Sequence, residues 1–452
     1  MDFDTIRARL DKLLAEGRKG ELRGALTMLN EVDIAEYLET LDNEKVLMVF
    51  RLLPKDISAD VFAYMDNDQR QRIIEAMDDG EAMRLVDDMF VDDAVDFLEE
   101  LPAGVVKRML KNCDENKRQL INQFLRYPEN SAGSIMTIEY MELHRGTTVG
   151  EAMAEIRRTG LDKETIYTLY VLDERRKLLG TVPLRKLLLA KDDTQVESLM
   201  NQQFVCVHTT DDQEAVADTV RKYDLISIPV VDNEERMIGI ITIDDIVDVI
   251  EEENTEDFER MAAMFPSEDT YLKTSVLTLV KNRMPWLLIL MISGIFTGII
   301  IQHYEDILRT TLSGGVLTAC IPILMDTGGN CGSQASTLTI RGLALGEITP
   351  HDLGKVLFKE LRVGMLVGAL LALCGFGIAV FAFGGTIGAA TTIAIALFFA
   401  VVMAQVLGCV LPVLAKSIKL DPALMASPLI TTIVDVGSLI ILFMVAINVL
   451  HV

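Results

Sequence analysis

The sequence predicts a multidomain membrane protein in three parts: an all-α superhelical N-domain, a duplicated α+β middle and a five-helix α transmembrane domain. Three observations predict it. Charge and hydrophobicity are segregated along the chain, the middle repeats one helix–strand–strand order, and the last third carries long uncharged stretches. The formal net charge is −25 although half of the residues are hydrophobic. Residues 285–452 hold eight acids and seven bases, so all but −1 of that charge belongs to residues 1–284. A front of this charge repels nucleic acid and anionic lipid and attracts cations.

Residues 1–130 read as an acidic helical domain. The segments Asp33–Leu38, Asp56–Phe62 and Asp93–Leu98 each open on an acid placed to cap a helix and continue with apolar residues at helical spacing. Repetition of this theme predicts a superhelical stack of short helices. The opening MDFDTIRARL lacks the basic start and apolar run of a signal peptide, which leaves the front on the cytoplasmic side.

Residues 131–250 change pattern. A helix at Val149–Arg158, a strand at Thr165–Leu172, a turn at Asp173–Lys177 and the run Gly180–Leu184 follow in order. The same order returns as helix Ala215–Tyr223, strand Ser227–Val231, turn Asp232–Arg236 and the run Gly239–Asp245. The second copy's Pro229-Val230-Val231-Asp232, Gly239-Ile240-Ile241-Thr242 and Asp245 resemble a cystathionine-synthase-type (CBS) module, and the two copies a CBS-domain pair. The first copy departs from that pattern, with Pro183 in place of Thr242 and Arg185-Lys186 in place of the aspartates.

Between Met237 and Glu259 stand nine acids and no base, leading into a connecting segment over residues 251–283. On a helix Asp245, Asp248, Glu252 and Glu256 share a face, where mutual repulsion disfavours the helix. Such a run is ordinarily a solvated face. Its position directly before the membrane gives it a second reading, as a cation sensor.

Residues 284–452 form the membrane part. Residues 284–304 carry no Asp, Glu, Lys or Arg, residues 310–340 carry only Asp326, and 53 uncharged residues separate Arg362 from Lys416. The last stretch is long enough for two spans joined at Gly384-Gly385-Thr386, and a final span runs from about Leu424 to Leu450 around Asp435, making five. Lys281, Arg283, Arg341, Lys355, Lys359, Arg362, Lys416 and Lys419 all fall on one side if the N-terminus is inside. The opposite loops, HYEDILRT and FAFGGT, hold one base, so the C-terminus is expected outside a multi-pass cytoplasmic membrane protein.

Two features of the membrane part carry chemistry. After Pro322 comes Asp326-Thr327-Gly328-Gly329-Asn330-Cys331-Gly332-Ser333-Gln334. Amides and glycines at this density are costly in lipid unless they face protein or water; packing of helices through small residues is the plainer reading. Glycines also let helices approach and let carbonyls turn toward a pathway. The second feature is Asp435 in SPLITTIVDVGSLIILF, a carboxylate without a basic neighbour in its own span. A symmetric dimer would bring two such carboxylates to one axis. Mg²⁺, which dehydrates reluctantly, is suited by that number.

The order of parts, with the PILMDTGGNCGSQ and LDPALMASPLITTIVD stretches, resembles the MgtE family of magnesium channels over nearly the whole chain. The resemblance implies a homodimer in the lipid bilayer with its pore on the two-fold axis, Mg²⁺ as both substrate and regulator, and import closed by cytoplasmic Mg²⁺. It implies a pore acid at Asp435 and a second at the cytoplasmic mouth, Asp421; Asn330 and Asp326 are further pore candidates. It places a plug helix in the acidic run. By it Asp224, Asp245, Asp248, Glu253, Glu256 and Asp257 share regulatory ions with the N-domain through Asp92 and Asp96, with Asp93 competing for the Asp92 role. Thr242 and Asp245 stand where CBS modules hold an adenosine ribose, which makes ATP a candidate regulatory ligand at one site per chain.

A transporter coupling a divalent cation to Na⁺ or H⁺ would share the fold and the intramembrane acid. With Asp435 nearly alone there is no chain of carboxylates for a coupling relay. An enzyme on a membrane anchor is disfavoured: there is no P-loop, nucleophile elbow or CxxC, and the five histidines are scattered.

Overall fold

The computed structural model describes the chain except residues 1–2, 100, 102, 114, 268–270, 273, 305–313, 426 and 452. Most of the loop HYEDILRT therefore lies outside the described residues. The chain forms two compact units, residues 1–250 and 251–452.

The first unit opens with short helices from Phe3–Ala15 to Glu115–Phe124. Their apolar faces make one core in which Phe62 is fully buried and meets Phe97 edge-on at 5.0 Å. The acids expected at caps stand inside the first turns instead. Asn30 caps Glu31–Glu39 by accepting from the Val32 N–H at 3.1 Å, and Asp33 follows within that helix. Asp56 lies one residue inside Lys55–Ala63, and Asp92 and Asp93 lie inside Val91–Glu99. An acid in the first turn still favours the positive end of the helix dipole, which is why the pattern marked the right segments.

Residues 132–250 hold two copies of one small sheet. In the first, β1 (Tyr140–His144) runs parallel to β2 (Thr165–Leu172), and β2 antiparallel to β3 (Leu178–Pro183). In the second, β4 (Val207–His208), β5 (Ser227–Val231) and β6 (Met237–Thr242) repeat that arrangement. The crossover helices are Val149–Thr159 and Gln213–Tyr223. Each hairpin turns on an aspartate: Asp173 accepts from the Arg175 and Lys177 N–H groups, Asp232 from those of Glu234 and Arg236. The copies are tied together by a buried 2.8 Å bond between the Tyr170 and Ser227 hydroxyls. The helix after β6, Ile243–Met261, contributes its first turns to this unit and the remainder to the next.

Among the described residues the second unit holds five long helices: Val276–His303, Gly314–Ala344, Leu353–Gly377, Ile387–Ser417 and Ser427–Leu450. Among the described residues four helices are long and apolar enough to cross a membrane; Gly314–Ala344 is outside that set, since the polar run from Asp326 to Gln334 dilutes it. This helix is continuous through Pro322 and the glycines. Its glycines serve close packing. A Cβ on Gly408 would lie 2.5 Å from the Gly332 carbonyl, and one on Gly328 would lie 2.9 Å from Val434 Cγ1.

Candidate metal sites

In the first unit the fold gathers half-buried acids, with the exposed Asp244 beside them. Val91–Glu99 presents Asp92 and Asp93, Ile243–Met261 presents Asp244 and Asp245 in its first turn, and Glu164 enters at the start of β2. The Glu164 N–H donates to the Glu139 carbonyl at 2.8 Å, which pins the backbone there. Burial raises the Asp92 carboxyl well above its usual range, and Asp93, Asp245 and Glu164 raise it further. Asp93 is pushed up to about 6 by burial, against the pull of Arg70. Asp245 reaches about 6 by burial, although the Thr242 hydroxyl donates to it at 2.7 Å. Glu164 reaches about 7 through burial and then Asp244 and Asp245. Asp92 Oδ1 is buried with no hydrogen-bond partner. A buried carboxylate oxygen left bare among other carboxylates is the surrounding a cation stabilises.

Of the residues expected here, the structure brings Asp92 and Asp245 together. Asp96 and Asp248 are exposed one turn further along their helices, and Asp224 is exposed at the left-handed C-cap of Gln213–Tyr223. Glu164 joins the group without a sequence signal: it precedes an ordinary strand, and only the fold carries it to Asp245. Lys117 holds the approach to Asp92. Its ammonium donates to the carbonyls of Val86, Asp87 and Met89 at 2.7, 2.7 and 3.1 Å.

The acidic run forms the helix Ile243–Met261 despite the repulsion along its face, and in the second unit its acids are buried unevenly. Glu252 is exposed, whereas Glu253, Glu256, Asp257 and Arg260 are half-buried. Arg260 donates to Glu256 and to Asp421. The other Asp421 oxygen accepts from the Ala423 N–H at 2.8 Å, capping the Pro422–Met425 turn. Asp257 is raised to about 6 by burial, then by Asp421 and Glu253, with Arg260 opposing.

Within the membrane helices, Asp326, Asn330, Gln334 and Thr337 form an exposed polar stripe along Gly314–Ala344. Asn330, Ser333, Gln334, Thr337 and Leu338 line an open hollow of about 610 Å³. Ser333 belongs to the stretch the sequence singled out, whereas Thr337, one helical turn further on, was not singled out. Asp435 sits on Ser427–Leu450, outside that lining, with Oδ1 buried and no hydrogen-bond partner. Asp326 is its charged neighbour.

Among the described residues no three His, Cys, Asp or Glu side chains form a ready-made metal cage.

A curated relative named magnesium transporter MgtE, from Thermus thermophilus, is 36% identical over 447 residues, covering 98% of each chain. This chain belongs to the MgtE family. The MgtE model, described as a divalent cation transporter, matches residues 321–445; the model of the MgtE intracellular N domain matches 29–130, and the CBS domain model matches 132–193 and 196–252. The Bacillus subtilis magnesium transporter MgtE is 28% identical over 453 residues, spanning 100% of this chain and 99% of that protein. Among solved structures, the soluble part of a magnesium transporter aligns with a TM-score of 0.54 at 30% identity, covering 56% of this chain and 99% of that one. The cytosolic domain of the Mg²⁺ channel MgtE in complex with ATP aligns with a TM-score of 0.51 at 34% identity, covering 54% and 99%. MgtE proteins are transporters rather than enzymes, which agrees with the absence of a nucleophile or phosphate-loop motif.

Proposed function

We propose that this MgtE chain forms a homodimeric, Mg²⁺-selective channel that admits Mg²⁺ to the cytoplasm and closes when cytoplasmic Mg²⁺ rises. The observation that carries the reading is Asp435: an intramembrane carboxylate whose Oδ1 is buried and unpartnered, in a chain 36% identical to a named magnesium transporter. An unpaired acid at that depth needs an ion, a cavity or a partner subunit. A two-fold axis doubles it. The exposed stripe Asp326, Asn330 and Gln334 faces the same pathway, and Asp421 stands at its cytoplasmic mouth. Loop bases put the N-terminus inside and the C-terminus outside, with Gly314–Ala344 as the fifth span.

The same reading assigns residues 1–130 and the CBS pair, 131–250, to sensing, residues 251–283 to a plug, and residues 284–452 to permeation. Asp92, Asp96, Asp224, Asp245, Asp248, Glu253, Glu256 and Asp257 supply the regulatory carboxylates. Bare, they repel one another; a shared divalent ion removes that repulsion and favours the compact arrangement. ATP bound by the related cytosolic domain supports a nucleotide at Thr242 and Asp245, although here those two side chains bond each other.

Divalent flux into liposomes, with and without a Na⁺ or H⁺ gradient, tests the reading. Asp435→Ala is expected to abolish uptake in a folded dimer, and Asp435→Asn to come close to it. Normal Mg²⁺ uptake by Asp435→Ala would remove the pore assignment. Flux that demands a Na⁺ or H⁺ gradient would replace the channel by a coupled transporter.

A further inference from the structure

The acidic run from Met237 to Glu259 contains no base, and the first base after it is Arg260. Its guanidinium lies between Glu256, one helical turn earlier, and Asp421, at the turn that leads into the last membrane helix. The three side chains are 30%, 22% and 33% exposed for Glu256, Asp421 and Arg260, so water and salt screen them only in part. A guanidinium is a flat fork that can hold two carboxylates at once, which an ammonium on a flexible stem does less well. Asp421 uses its second oxygen on the Ala423 N–H, so the ion pair is passed directly to the backbone that starts Ser427–Leu450.

We propose that Arg260 is a tethered cation that latches the connecting helix onto the mouth of the membrane unit. It stands where a bridging ion between Glu256 and Asp421 would stand, and it gives the joint a closing bias that needs no divalent ion. Regulatory Mg²⁺ then completes a closure that Arg260 has begun. Arg260 is a positioning residue: it acts through the helix it holds. The inference rests on the reading of that helix as a gate.

The experiment is single-channel recording on the full-length protein in inside-out patches, first with Mg²⁺ chelated on the cytoplasmic face and then titrated. Arg260→Gln is expected to raise the open probability at zero Mg²⁺ about three- to fivefold, the factor a partly exposed ion pair supplies. It should also move half-closure to higher Mg²⁺. Arg260→Lys, which keeps the charge and loses the fork, should fall between the wild type and Arg260→Gln. Glu256→Gln, which frees one arm of the fork while leaving Arg260 and Asp421 in place, should raise the open probability by a smaller factor. That variant keeps the test available if Arg260→Gln fails to assemble. Unchanged open probability and half-closure in Arg260→Gln would overturn the latch, as would a lysine no better than glutamine. A wild type indifferent to Mg²⁺ would instead overturn the gating reading, and the comparison at zero Mg²⁺ would still judge the latch.

Discussion

The Thr242 hydroxyl donates to Asp245 Oδ2 at 2.7 Å, so a carboxylate of the buried acidic group is held in place by the last residue of β6. Asp245 also feels the charge of Asp93, Asp92 and Glu164, and burial leaves its negative charge in a setting that resists it. The acids of the first unit are thus arranged by ordinary hydrogen bonds into an arrangement that is electrostatically unfavourable without a cation.

The first prediction is a pH dependence. Asp93, Asp245 and Glu164 are raised to about 6, 6 and 7. A carboxyl whose folded value lies above its unfolded value binds more protons when folded, so stability falls as pH rises between the two. The ion-free fragment 1–260 should therefore melt highest near pH 4.5 and lose stability up to about pH 7.5, by roughly 2 kcal/mol or more across the group. Mg²⁺ should restore stability at pH 7.5 and do little at pH 4.5. Melting curves at several pH values, with and without Mg²⁺, read this directly; a flat pH profile would show that the acids are not strained.

Glu164→Gln removes one member of that group while keeping its shape. The ion-free fragment should become more stable at pH 7.5, by about 1 kcal/mol. Its gain from added Mg²⁺ should shrink. Isothermal titration with Mg²⁺ checks the second part, and an unchanged affinity would take Glu164 out of the site.

Lys117→Met should have the opposite sign. It keeps the apolar stem and leaves the carbonyls of Val86, Asp87 and Met89 without their donor. The expected loss is on the order of 2 kcal/mol by urea unfolding of the same fragment. Mg²⁺ affinity should fall as well, because the turn those carbonyls belong to delivers Asp92.

In the membrane unit, Gly408→Ala places a methyl 2.5 Å from the Gly332 carbonyl. Two helices must then separate, at a cost of about 1–3 kcal/mol. The melting temperature of the detergent-solubilised protein should drop. Gly294→Ala, whose Cβ would meet nothing within 4 Å, is the control and should melt like the wild type.

Several features of this protein were determined by the sequence alone, because each is a property of local composition or period. The charge partition at residue 285 is read by counting. The helix–strand–strand repeat is read from alternation and turn residues, and β2, β5 and both hairpin turns stand where Thr165–Leu172, Ser227–Val231, Asp173 and Asp232 placed them. The cost of Asp435 follows from the apolar residues around it. Helix caps were less legible, since a first-turn acid and a capping acid differ by one or two residues that the apolar period does not resolve.

Only the tertiary structure decided which acids share a pocket and which face of the acidic helix turns inward. Glu164 feels Asp245 because the two small sheets, tied by the Tyr170–Ser227 bond, pack together, and that brings residues 81 apart in the chain into one electrostatic group that no period encodes. Arg260 finds Asp421 across 161 residues, and that pairing selects the face bearing Glu253, Glu256 and Asp257 over the one bearing Asp248 and Glu252. Electrostatic coupling depends on separation in space, whereas the sequence specifies separation only along the chain. The distances that turn scattered carboxylates into a site arise when distant segments pack.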